Sequence, residues 1–253
     1  MSRMNPFDLS TRVALVTGAN TGIGQAIAIA LAAAGADVAL AGRTAAEETA
    51  AQIAALGRRA IIVPADLSTI APVQGVVDET VDKLGRLDIL VNNAGIIRRA
   101  DAVDFTEEDW DAVVDTNLKS VFFLCQAAGK RMIAQGSGKI INIASMLTFP
   151  GGIRVPSYTA SKSGVGGLTK LLANEWTAKG VTVNAIAPGY IATNNTAALQ
   201  ADEARNKSIL DRIPAGRWGE PSDLGGAAVF LASDAAAYVT GHILAVDGGW
   251  LAR

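Results

Sequence analysis

Tyr158 and Lys162 set a phenol and an ammonium four residues apart, in a stretch that reads as helix. Residues so spaced share one helical face, with Cβ atoms about 5–6 Å apart. A phenol is a poor proton acceptor at neutral pH, because its unperturbed pKa is about 10. A cation about 4 Å away, at an effective dielectric near 20, favours the phenolate by up to roughly 4 kcal/mol. At about 1.36 kcal/mol per unit, this predicts a tyrosine titrating near about 7, usable as a general acid and base. The same spacing also arises by accident on amphipathic helices that carry a solvated lysine. The pair therefore takes its meaning from the rest of the chain.

That chain has 253 residues, the size of one large α/β domain. Half of the residues are apolar but only 5% are aromatic, so the core must be built from Ala, Val, Ile and Leu. A formal charge of -2 and a pI of about 5.5 give no overall field for nucleic acid or a membrane surface. The single cysteine, Cys125, excludes an internal disulfide. The single histidine, His242, excludes the usual multi-histidine metal sites, and no metal is expected. No G-x-S-x-G elbow accompanies that histidine, which argues against a Ser-His-Asp hydrolase. The opening MSRMNPFDLST lacks an apolar h-region, and the longest apolar run, Ala26 to Ala34, is far shorter than the ~20 residues that span a bilayer. A soluble cytoplasmic protein is expected.

Short β-rich runs alternate with helical stretches throughout. Strands are predicted at Val13–Val16, Val38–Leu40, Ala60–Val63, Ile89–Val91, Lys139–Ile143, Val181–Ile186 and Ile243–Val246. Continuous apolar runs of this kind suit strands buried on both faces of a parallel sheet. Helices are predicted at about 23–34, 45–56, 69–84, 107–134, 157–178 and 222–232. The alternation predicts an α/β fold: one doubly wound, Rossmann-type domain over 1–253, with a mainly parallel seven-stranded sheet flanked by helices. One stretch breaks the rhythm. Residues 188–220 form a long excursion with a short helix expected over 197–210, at the sheet edge where ligands bind, and read as a substrate lid.

The first strand runs into Thr17-Gly18-Ala19-Asn20-Thr21-Gly22-Ile23-Gly24 and then an Ala-rich helix. Glycines here allow a sharp turn and close approach of a pyrophosphate, while the helix N-terminus offers free N–H groups and partial positive charge. Gly24 also suits close packing of the apolar helix on the sheet. Any tight strand–helix turn recruits glycine, but this placement after the first strand favours a dinucleotide. The spacing is G-x-x-x-G-x-G rather than G-x-G-x-x-G. Together with Asn92-Asn93-Ala94-Gly95, Asn117, Ser145, Tyr158, Lys162, Pro188-Gly189, Thr193 and the closing Asp247-Gly248-Gly249, it resembles the short-chain dehydrogenase/reductase family along essentially the whole chain.

The resemblance implies an NAD(P)-dependent oxidoreductase acting on CH–OH groups. It gives Ser145 a hydrogen bond to the reacting oxygen, Tyr158 the proton transfer, Lys162 the tyrosine and the nicotinamide ribose, and Asn117 a relay water. It places Asp66 and Leu67 at the adenine and the backbone from Asn92 through Ala94 to Gly95 near the adenine ribose. Pro188, Gly189, Ile191 and Thr193 would meet the nicotinamide and phosphates, joining Gly18, Asn20, Thr21, Gly22, Ile23 and Gly24 of the cradle. Members usually form tetramers through the two long helices and the C-terminal segment, so a homotetramer is expected. After the second strand no carboxylate is present to hold a ribose 2′-hydroxyl, and Arg43 could pair with a 2′-phosphate, favouring NADP(H) over NAD(H).

Over Asn92 to Arg99, Ile143 to Gly164, Ala187 to Thr196, Arg212 to Asp223 and Ala245 to Arg253, the chain is most similar to family members that act on keto sugar acids. Guanidinium groups pair with carboxylates, and Arg98, Arg99, Arg154 and Arg217 fall on loops at the predicted active edge. Arg154 is the first candidate for a substrate carboxylate and Arg99 the second, with Asn194 and Asn195 reading hydroxyls. Ordinary surface ion pairs are the alternative for each arginine. A gluconate dehydrogenase or a 3-oxoacyl reductase is the nearest competing activity, and a non-catalytic dinucleotide-binding module the remote one.

Overall fold

A computed structural model describes residues 5–253; residues 1–4 of the opening segment lie outside them. The first half contains β1 (Val13–Thr17), α1 (Gly22–Ala33), β2 (Asp37–Gly42), α2 (Glu47–Ala55), β3 (Ala60–Pro64), α3 (Val73–Leu84) and β4 (Ile89–Asn92). The second half contains α4 (Glu107–Val114), α5 (Ser120–Gln135), β5 (Gly138–Ile143), α6 (Pro156–Trp176), β6 (Val181–Pro188), α7 (Ala197–Ala201), α8 (Glu203–Leu210), α9 (Gly225–Ala232) and β7 (Ile243–Val246). The seven strands form one parallel sheet in the order β3-β2-β1-β4-β5-β6-β7. The order reverses between β1 and β4, which opens a crevice at their C-terminal ends.

The predicted architecture is observed, and the period of two explains its layers. Along β1, Leu15 packs with Val76, Leu84, Leu124, Met132 and Leu172 on one side of the sheet. Its neighbours Ala14 and Val16 face the other way, onto Ile27, Leu31, Ile53 and Leu231. Fully burying a side chain such as Leu31 is worth about 1.5–3 kcal/mol, so both layers contribute to holding the sheet. Burial on both faces holds for the central strands; the edge strands β3 and β7 stay partly exposed, because each has a neighbour on one side only. No helix among the described residues is long and apolar enough to cross a membrane.

Several predicted boundaries move for local reasons. Helix α3 starts at Val73 rather than near 69, since Pro72 disfavours helical backbone in the residue before it. The predicted helix 107–134 is divided by a π-helical turn at Asp115–Lys119, which contains Asn117. The stretch 197–210 breaks at Asp202, whose carboxylate caps α8 by accepting from the Arg205 N–H at 3.0 Å. The last predicted helix begins with a 3-10 turn, Pro221–Leu224, before α9.

Candidate active site

A cleft crosses the C-terminal ends of β1, β4, β5 and β6. Its larger part, about 670 Å³, is lined by Gly18, Asn20, Thr21, Gly22 and Ile23, by Ala94 and Gly95, and by Ser145, Tyr158 and Lys162. Pro188, Gly189, Ile191, Thr193 and Asn194 close it from the β6 side. A second part, about 430 Å³, shares Gly18, Asn20, Ala94 and Gly95 and adds Arg43, Asp66 and Leu67. Most of the predicted site residues are therefore gathered in one place.

The glycine turn is built for close approach. Gly18 and Gly22 have φ of 63° and 60°, where side chains are strained, and a Cβ on Gly18 would stand 3.0 Å from the Ala94 Cα. Helix α1 starts here with no side-chain cap from Thr21 and no acid in its first turn, so its N–H dipoles face the cleft uncompensated. Gly24 does not line the cleft. A Cβ there would lie 2.2 Å from the Gly18 carbonyl oxygen, so its glycine lets the helix seat against the turn itself rather than against the sheet.

Asn93, unassigned from sequence, pins this turn: its Nδ2 donates to the Thr17 and Gly18 carbonyls, both at 3.0 Å. Thr17 Oγ1 in turn accepts from the Asn93 and Ala94 N–H groups at 3.0 Å. The signal was the second asparagine of the Asn-Asn-Ala-Gly run. Asn92 points the other way, into the core, where its Nδ2 donates to Asn142 Oδ1 at 2.9 Å. Burial there pushes the Cys125 thiol up to about 12, which makes it inert.

Ser145 stands just past β5 and caps the following turn, accepting from the Leu147 N–H at 3.1 Å. Tyr158 and Lys162 lie one turn apart on α6, as the spacing predicts. The ammonium of Lys162, in a residue 5% exposed, donates to the Ile143 carbonyl at 2.6 Å and sits 5.7 Å from the Tyr158 ring centroid. Burial pulls Lys162 down to about 8. The predicted acidification of Tyr158 runs against its burial. Desolvation raises its pKa, opposed by the Ser145 hydroxyl and by the charge of Arg99. The lysine spends its charge on a carbonyl and the ring face, not on the phenol oxygen.

Asn117 is fully buried and does not line the cleft. Its Oδ1 accepts from the Ile96 N–H and its Nδ2 donates to the Ile96 carbonyl, both at 2.8 Å, tying the π-helical turn to the loop after β4. Asp66 is exposed, and hydrogen bonds from Ser68 hold its carboxyl below the usual range with help from the Arg43 charge. Thr44 and Ser68, also unassigned from sequence, flank Arg43 in the cleft.

The four loop arginines separate clearly. Arg98 pairs with Asp109 at 3.0 Å, Arg217 with Asp223 at 2.7 Å, and Arg154 with Asp101 at 3.0 Å. Arg154, the first candidate for a substrate carboxylate, is exposed outside the cleft on backbone of φ 63°. Arg99 has no carboxylate within 4.0 Å among the described residues. Its Nη2 donates to the carbonyl of Asn195, a cleft residue, at 3.1 Å.

Comparison with known proteins agrees with this arrangement. Residues 18–251 match the family described as enoyl-(acyl carrier protein) reductase. The chain is 60% identical over 251 residues, 99% of each sequence, to the 2-dehydro-3-deoxy-D-gluconate 5-dehydrogenase of Escherichia coli K12. A crystal structure from Agrobacterium tumefaciens, provisionally named a 2-deoxy-D-gluconate 3-dehydrogenase and holding NADP, superposes with a TM-score of 0.93 at 63% identity over 98% of this chain and 100% of that one. A gluconate 5-dehydrogenase from Burkholderia cenocepacia, solved with NADP and tartrate, gives 0.93 at 41% identity over 98% of both chains. With the glycine turn, the Ser145, Tyr158 and Lys162 cluster and the sheet order all in place, the chain belongs to the short-chain dehydrogenase/reductase family.

Proposed function

We propose that this protein is an NADP(H)-dependent oxidoreductase that interconverts the keto and hydroxy forms of a sugar acid of the 2-dehydro-3-deoxy-D-gluconate type. The observation that carries the reading is Arg99: of the four loop arginines it alone has no carboxylate within 4.0 Å among the described residues, and it stands beside the cleft with its charge felt by Tyr158. A sugar carboxylate supplies the missing partner. The relatives named for such substrates support the same class.

The glycine turn and the bare N-terminus of α1 fit a pyrophosphate, and the exposed Arg43 with Thr44 and Ser68 fits a 2′-phosphate. When bound, the nicotinamide supplies or accepts the hydride. The remaining chemistry belongs to the chain. The Ser145 oxygen accepts from Leu147 and its O–H faces the Tyr158 phenol, so a substrate oxygen seated between the two takes a hydrogen bond from it. Tyr158 moves the proton at that oxygen, and Lys162 holds positive charge beside the ring. Asn117 orders the loop that carries Gly95 and Ile96, a positioning role that stands beside the relay water implied by the resemblance. Residues 188–220 act as a lid, their inner end meeting the substrate through Thr193, Asn194 and Asn195. A homotetramer is inferred through α4, α5 and α6, where Trp110 and Leu171 stay exposed in the single chain.

Initial rates of reduction of 3-deoxy-D-glycero-2,5-hexodiulosonate, with NADPH and NADH in parallel, test the reading. Efficient NADPH-dependent turnover is expected. Cofactor binding without turnover would direct the search to gluconate or 3-oxoacyl substrates, or to a binding module. Arg99→Ala is expected to raise KM for the sugar acid at least tenfold, since a charge-assisted pair is worth about 1.5–3 kcal/mol. A neutral ketone should be affected far less; equal losses on both would remove Arg99 from substrate recognition.

A further inference from the structure

A smaller cavity, about 250 Å³, opens at the opposite edge of the sheet. Its polar lining includes Arg12, Asp88, Ser137, Lys139, Thr182 and Asp234. Lys139 and Thr182 are the second residues of β5 and β6 and pair in register, while Arg12 and Asp88 immediately precede β1 and β4. The cavity therefore lies at the N-terminal ends of the strands, away from Ser145 and Tyr158, and no step proposed above uses it.

Two of its polar groups lack a partner among the described residues. Thr182, 8% exposed, has a buried hydroxyl with no hydrogen bond. Lys139 is half-buried, and among the described residues no carboxylate oxygen lies within 4.0 Å of its ammonium. Desolvation pulls the Lys139 pKa down, the more distant Asp234 opposes this, and Arg12 adds to it. The acids at the cavity are already engaged. Asp88 accepts from Arg86 at 2.6 Å and from the Val13 N–H at 2.9 Å, with Arg12 at 3.7 Å, and Asp234 faces Arg12 at 3.4 Å. Setting Arg12, Arg86 and Lys139 against Asp88 and Asp234 leaves one positive charge without a counterpart.

A desolvated ammonium and an orphan hydroxyl on neighbouring strands are each unfavourable alone, and one anion would satisfy both. We propose that this cavity is a second binding site, for a small oxyanion held by the Lys139 ammonium and the Thr182 hydroxyl. Carboxylate and phosphate share the required chemistry, and the volume suits an ion of few heavy atoms. The site is independent of the proposed sugar-acid activity.

Isothermal titration of inorganic phosphate, and separately of malonate, into the full-length protein with excess NADPH tests this. The cofactor keeps the probes out of the phosphate cradle at α1, and Arg99→Ala, carried by every protein titrated, keeps them off the proposed substrate-carboxylate site. One saturable site per chain is expected for at least one probe, and the stronger of the two identifies the source. Lys139→Gln and the near-isosteric Thr182→Val should each weaken it tenfold or more, with turnover in phosphate-free buffer unchanged. No saturable binding of either anion, or binding retained in either variant, would overturn the proposal. Thr182→Val removes no charge, so its result stands even if Lys139→Gln folds poorly.

Discussion

At the scale of single residues, Lys162 shows how an exact spacing can be right about position and wrong about charge. The helix delivers the ammonium to Tyr158, but the ammonium is then satisfied by the Ile143 carbonyl. Its burial has a pH signature. From an ordinary 10.5 it falls to about 8, so between those values the unfolded chain keeps a proton that the folded chain has released. Stability therefore rises with pH across that window, and the full penalty is present below about 8. Lys162→Met is expected to be more stable than the parent at pH 7, by up to roughly 3 kcal/mol, with the gap narrowing towards pH 10. Melting temperatures of the ligand-free proteins across that range measure it, and a constant gap would contradict it. Tyr158, raised from its ordinary 10.0, adds an opposing dependence only at the top of this window, above about pH 10. Arg43 carries the second residue-scale expectation. Arg43→Ala should cut kcat/KM with NADPH by tenfold or more while leaving NADH nearly unchanged, because only the former has a 2′-phosphate to lose. Steady-state kinetics with both cofactors would show an equal effect if the guanidinium merely stacks on adenine.

At the scale of elements, the strand–turn–helix unit from β1 to α1 was the most legible part of the chain. A buried strand, glycines at fixed offsets and an apolar helix leave few alternatives. What the pattern hid was which glycine does what. Gly24 is needed because the Gly18 carbonyl and Asn93 Nδ2 occupy the space of its Cβ. Gly24→Ala must push the turn away from α1, so about 1–3 kcal/mol of stability should be lost together with most NADPH affinity. Thermal melting and fluorescence titration check the two losses. An unchanged affinity would mean that the turn relaxes without moving its N–H groups. The π-helical turn around Asn117 was illegible for a related reason: a continuous helical pattern over 107–134 contains no marker for a local change of hydrogen bonding made to reach Ile96.

Across the whole molecule, the excursion 188–220 is tied to the far end of the chain. Met146, directly after Ser145, packs with Ile209, Ile213 and the C-terminal Trp250. Arg212 stacks over the Trp250 ring at 4.1 Å, and the Arg253 guanidinium donates to the Asp211 and Arg212 carbonyls at 2.6 and 3.2 Å. The C-terminus thus anchors the outer end of the proposed lid while its inner end lines the cleft. Trp250→Ala is expected to cost about 3–5 kcal/mol if the cluster cannot collapse. If only the lid loosens, KM for the sugar acid should rise several-fold with kcat less affected. Melting and steady-state kinetics separate these outcomes, and wild-type values in both would detach Trp250 from the lid.

Periodicity, composition and short-range spacing are properties of the chain itself. From them the sequence determined the strand and helix alternation, the doubly wound sheet, the cradle at Gly18 to Gly24, and the pairing of Tyr158 with Lys162 on one helical face. Contacts between segments distant in the chain are set by packing, and no local pattern encodes them. Only the tertiary structure decided that Asn92 turns into the core while Asn93 pins the cradle. It decided too that Arg154 pairs with Asp101 while Arg99 has no carboxylate within 4.0 Å among the described residues and donates to the Asn195 carbonyl beside the cleft. Four arginines look alike along the chain because an arginine's availability depends on which carboxylate folding brings within reach.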